Sequence, residues 1–96
     1  MTDFTSVDKY FETNLDTSIA ELVKLCAQPS VAAQNWGLVE CAELVGEMLA
    51  ARGFEVQVLP TGGAPVVFAE RKGKHDKTLL FYNHYDVQPP EPLDLW

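Results

Sequence analysis

The stretch LLFYNHYD, residues 79–86, followed by VQPPEPLDLW, residues 87–96, decides how this chain is read. Leu79, Leu80, Phe81 and Tyr82 are apolar in succession without polar alternation, the pattern of a strand covered on both faces inside an α/β sheet. Pro89, Pro90 and Pro92 then exclude a helix interior or a central strand, so residues 83–96 are expected to form an extended loop. In open α/β sheets ligands bind just outside the carboxyl ends of the strands. His84 stands two residues beyond such an end, where chemistry would be placed.

Upstream, Leu15, Ile19, Leu22 and Cys26 recur at helical spacing and predict a helix over residues 6–27, either one long helix or two short ones with Asp16 capping the second; Pro29 closes it. Leu38, Cys41, Val45 and Met48 repeat the spacing, with Asn35 expected to cap the start and Gly53 to end the helix in a left-handed conformation. After Gly53 the period falls to two: Phe54, Val56 and Val58 face one way, Glu55 and Gln57 the other. Pro60, Thr61, Gly62 and Gly63 make a turn and residues 66–70 a second strand, so an antiparallel hairpin is expected, followed by a polar loop over residues 71–77. The fold class is α/β, a mixed sheet flanked by helices, to which residues 1–96 contribute two helices, three strands and the loop 83–96, with no second domain. That inventory cannot cover a strand buried on both faces, and Trp96 ends the sequence in mid-loop. The chain is therefore expected to be an incomplete amino-terminal piece of a larger domain.

Composition narrows the function. Ninety-six residues, 47% of them hydrophobic, are enough for one domain or part of one. Seven Lys and Arg against fourteen Asp and Glu leave a net charge of -7, which offers nothing to a nucleic-acid backbone or an anionic membrane. The longest apolar runs, residues 66–69 and 79–82, are far too short to span a bilayer. The start, MTDFTSVDKY, lacks the basic and apolar regions of a secretory signal, so a cytoplasmic location is expected. Cys26 and Cys41 both fall on apolar helix positions and are expected to be buried, unpaired thiols. No CxxC or CxxH spacing makes them a zinc pair.

A neutral imidazole binds zinc through one nitrogen while a carboxylate commonly holds the other N–H and fixes the ring. His84 and Asp86 can form that pair, although a His-x-Asp spacing alone is weak. The surrounding sequence adds more: residues 79–96 resemble the first metal-ligand segment of the co-catalytic zinc hydrolases that include aminoacylase, acetylornithine deacetylase, glutamate carboxypeptidase and the carnosine-type dipeptidases. The resemblance extends to Pro29, Ser30 and Val31, to Gly53 and Phe54, and to residues 65–70, and so covers almost the whole chain. Tyr85, Gln88, Leu95 and Trp96 are similar to the dipeptidase branch. Asn83 departs from the glycine many members carry, a change that left-handed backbone tolerates.

The resemblance implies a metallopeptidase in which two zinc ions, or other divalent metals, activate water against a peptide or amide bond of a dipeptide or N-acyl amino acid. It makes His84 a metal ligand and Asp86 the catalytic-site carboxylate that holds His84. It also implies further ligands and a general base that have no counterpart in this sequence, and a possible homodimer of the intact parent. This chain alone is expected to be inactive, since one His and one acid cannot supply the three or four ligands of a zinc site. The competing expectations are a non-catalytic interaction module that keeps part of the fold, and a fragment that self-associates through unpaired strand edges. His75 reads as a solvated loop residue, Tyr82 and Tyr85 as packing aromatics, and Glu40, Glu43 and Glu47 as the wet side of the second helix.

Overall fold

A computed structural model describes residues 2–96. It contains helix α1 (Thr5–Ala27), helix α2 (Leu38–Ala50) and strands β1 (Glu55–Leu59) and β2 (Val66–Glu70), with single 3-10 turns at Ala32–Gln34 and Leu93–Leu95. α1 is one continuous helix of 23 residues. Ahead of it, a carboxylate oxygen of Asp3 accepts the Thr5 amide at 2.9 Å and the Thr5 hydroxyl at 2.5 Å, which satisfies one of the free amides every helix start presents. At the other end Gln28 turns extended, with φ -78° and ψ 120°, as the residue before a proline must.

No residue of α1 is buried, and its apolar stripe lies open, with Leu15, Ile19 and Leu22 each at least half exposed. Cys26, expected to be buried on that stripe, is exposed, while Cys41 is buried; both are free thiols. The difference is one of neighbours. α2 has the hairpin against it, whereas α1 is only sparsely packed beside α2, and Arg52, just past α2, bonds Glu21 at 2.7 Å.

α2 starts two residues later than its expected cap. Asn35 instead closes the preceding 3-10 turn in left-handed conformation, and Gly37, with φ 75°, caps the helix. Val31 and Trp36 exchange backbone hydrogen bonds of 2.8 and 3.1 Å that fold this loop back on itself. The fold-back brings Gly37 so close to Pro29 that a Cβ there would lie 2.1 Å from the Pro29 carbonyl oxygen, and only glycine fits. The far end of α2 behaves as its sequence predicts. Gly53 has φ 85°, its amide bonds Ala50 and that of Phe54 bonds Leu49, the paired closing bonds of a Schellman cap.

The core is small: Val31, Leu38, Cys41, Ala42 and Leu44. β1 and β2 pair antiparallel from Glu55 with Glu70 to Leu59 with Val66. Val56 and Val58 lie over Gly46 of α2, where a Cβ would stand 3.3 Å from Val56, so the absent side chain sets the depth at which the hairpin seats. Val56 and Val58 pair with Ala69 and Val67 on the same sheet face. On the other face Leu59, Val66 and Phe68 are exposed.

The third expected strand does not form. Residues 79–82 run as irregular backbone, and Leu79, Leu80, Phe81 and Tyr82 are between 77% and 88% exposed. The sheet therefore has two antiparallel strands rather than a mixed set of three. A strand covered on both faces requires a paired edge and two apolar layers, and none of the described elements supplies these to residues 79–82. The consequences show in the dimensions. The radius of gyration is 16.5 Å, against about 12.5 Å for a compact domain of this length. The accessible surface is 8617 Å², against roughly 5,500 Å² for a folded monomer of this mass. No helix among the described residues is long and apolar enough to cross a membrane.

Candidate functional site

Past residues 79–84, all exposed, the chain is caught again at two points. The amide of Val87 donates to the Ser30 carbonyl at 2.8 Å, and the Tyr85 hydroxyl donates to the Pro65 carbonyl at the mouth of β2. Ser30 is 3% exposed, in the fold-back between the helices, so the loop is tied to the best-packed part of the molecule. Extended backbone sends successive side chains to opposite sides. Tyr85 turns inward, where burial, then Cys41 and then Asp86 push its phenol above the usual range, and His84 and Asp86 fall on either side of it.

These two residues meet. His84 Nδ1 lies 3.0 Å from a carboxylate oxygen of Asp86 and 3.0 Å from the Asp86 backbone carbonyl. Both partners are acceptors, so Nδ1 carries the proton, and in the neutral ring Nε2 keeps its lone pair free. The side chains are 77% and 44% exposed, which makes their electrostatic attraction weak in itself. The geometry is that of a carboxylate-held imidazole with its metal-facing nitrogen open.

One nitrogen of this kind fits a zinc ion, but the rest of a ligand set is not here. Among the described residues no three His, Cys, Asp or Glu side chains come together in a way that could hold a metal, whereas a zinc site takes three or four protein ligands. His75 is exposed in a pocket lined also by Gly73, Lys74 and Lys77. Glu40, Glu43 and Glu47 are exposed along α2, as expected, beside Lys24 and Gln28. Tyr82 is 88% exposed and packs on nothing. Ser30, Gly37 and Pro65 were not legible as supports of the site. They act through main-chain atoms, and only the tight turn at Gly37 left a trace, in its residue type.

The structure thus presents a His–Asp pair from the loop after an apolar segment, and comparison with known proteins gives partial, distant homology to metallohydrolases. The chain is similar to succinyl-diaminopimelate desuccinylases. It is 32% identical to that of Bordetella avium over 81 residues, 83% of this chain and 20% of the relative. It is 35% identical to that of Bordetella pertussis over 81 residues, with the same coverage, and 38% identical to that of Leptothrix cholodnii over 78 residues, 76% of this chain and 20% of the relative. The chain thus spans about a fifth of the length of these curated relatives. No family model matches it, and no solved structure does.

Proposed function

We propose that this chain is the amino-terminal portion of a zinc-dependent hydrolase that cleaves the amide or peptide bond of an N-acyl amino acid or dipeptide. The observation that carries the reading is the His84–Asp86 pair, with Nδ1 held and Nε2 open. The similarity to desuccinylases supports the N-acyl arm of the substrate class; Tyr85, Gln88, Leu95 and Trp96 favour the dipeptidase arm. When bound, zinc supplies an acidified water and a polarised carbonyl. The part of this chain is to present Nε2 of His84 and to hold the ring by Asp86. The remaining ligands and the general base come from polypeptide beyond these residues, and the complete protein is a homodimer.

The test is hydrolysis by the full-length polypeptide with zinc, against N-succinyl amino acids, N-acetyl amino acids and dipeptides, following the released amine. Activity on at least one class, abolished by His84→Ala and accompanied by a roughly 10- to 100-fold loss of zinc affinity in Asp86→Ala, is the expected result. Zinc affinity indifferent to His84→Ala overturns the reading.

A further inference from the structure

We propose that Tyr85 is a positioning residue: with its hydroxyl on the Pro65 carbonyl, and the Val87 amide on the Ser30 carbonyl, it fixes the backbone between them so that His84 stays on Asp86 and offers only Nε2. The proposal rests on the metal reading above and deepens it. Among the described residues these are the two hydrogen bonds that tie residues 79–96 to the remainder of the chain. They fall on either side of Asp86 and immediately after His84.

The need for such a restraint follows from exposure. A His and an Asp two residues apart, 77% and 44% exposed, gain little from each other in water and lose rotamer freedom by meeting. In an unrestrained loop the imidazole would sample both tautomers and both faces. Here the backbone on which the pair is built is held from inside. Tyr85 is half-buried beside exposed His84, with its hydroxyl on a strand mouth. Ser30 is itself held, because Val31 pairs with Trp36 and Pro29 packs on Gly37. Both acceptors are main-chain carbonyls, so the Tyr85 hydroxyl is the one side-chain group in the device. A phenylalanine keeps the ring's packing and removes only the bond to Pro65.

The experiment is nitrogen NMR of the imidazoles in the full chain without metal, followed by titration with zinc chloride alone. In the wild type His84 is expected as a single Nδ1–H tautomer, with the exposed His75 as an internal reference for an averaged ring. In Tyr85→Phe, His84 becomes averaged like His75 and zinc binding weakens by about 10- to 100-fold. Pro65→Ala, which keeps the carbonyl, changes neither. Protection of the buried Cys41 thiol reports that the variant is folded. A tautomer and zinc affinity unchanged in folded Tyr85→Phe overturn the proposal. Should the variant unfold, the wild type decides: a Val87 amide exchanging more slowly than that of Gln88 supports the latch, and one exchanging equally fast overturns it. Zinc that leaves wild-type His84 unmoved defeats the metal reading alone, since the tautomer comparison is made without metal.

Discussion

Gly37 and Gly62 share a left-handed backbone, with φ 75° and 85°, but not their surroundings, and the pair isolates a steric term. A Cβ at Gly62 meets nothing within 4 Å, whereas one at Gly37 would lie 2.1 Å from the Pro29 oxygen and 2.7 Å from its carbonyl carbon. Alanine at either position incurs about 1–2 kcal/mol for the left-handed conformation, offset by roughly 0.4–1 kcal/mol from the stiffer unfolded chain. Gly62→Ala should therefore destabilise by about 1 kcal/mol or less. At position 37 the Pro29 backbone must also move by an ångström or so, taking buried Ser30 and Val31 with it, and overpacking of this kind adds about 1–3 kcal/mol. A total near 3 kcal/mol corresponds to roughly a hundredfold in an opening equilibrium. The two thiols provide the assay. Cys26 is exposed and reacts with a thiol reagent at once; Cys41, 2% exposed in the first turn of α2, reacts only through local opening. Gly37→Ala should accelerate Cys41 relative to Cys26 by about a hundredfold, and Gly62→Ala by less than about tenfold. Equal acceleration in the two variants would refute the close approach of Gly37 and Pro29.

Three further outcomes are expected. The Arg52–Glu21 ion pair, 2.7 Å long and 49% and 32% exposed, should show a coupling of only about 0.2–1 kcal/mol in a double-alanine cycle, fading at high salt, read from amide exchange in α1. Tyr85 ionises above the ordinary phenol range because burial disfavours the charge. Its contribution is thus complete below the unfolded value of about 10 and is lost as pH rises through the folded one, so alkaline titration of tyrosinate absorbance should lose its last component in Tyr85→Phe. Leu80 is 86% exposed and touches no core residue, so Leu80→Lys should leave Cys41 protection unchanged while reducing light scattering from self-association. A loss of that protection would mean that residues 79–82 pack on the body.

Where the sequence reading succeeded, the determining forces were local. The Schellman cap at Gly53, the hairpin of β1 and β2 and the wet glutamates of α2 follow from spacing and turn chemistry within a few residues. Where it failed, burial had been inferred from apolarity. Cys26 and residues 79–82 have the composition of interior positions, but burial is supplied by a partner surface, which composition does not encode. The displaced cap of α2 is a third kind of miss. Asn35 is a good cap by type, yet the Val31–Trp36 pairing claims its backbone first, and Gly37 takes the role because it alone tolerates the contact with Pro29. The His84–Asp86 contact was legible only from the spacing together with the resemblance of the stretch around it; its supports through Ser30 and Pro65 were not, being main-chain acceptors that any residue could provide.

The separate stretches that resemble a metallohydrolase acquire a common physical meaning from this arrangement. Ser30 receives the Val87 amide, and Pro65 receives the Tyr85 hydroxyl. Gly53 and Phe54 close α2 and turn the chain into β1, and Arg71, just past β2, returns to bond the Arg52 carbonyl at 2.7 Å beside Gly53. That clasp fixes the open end of the hairpin on α2, and with Val56 seated over Gly46 it determines where Pro65 stands when Tyr85 arrives. Each stretch is a link between the small core and one exposed imidazole. A chain with roughly a third of the surface that a compact domain of its mass buries still open to water nevertheless holds that loop at two points, and the hold is on the backbone beside His84 and Asp86 rather than on the apolar residues that precede them.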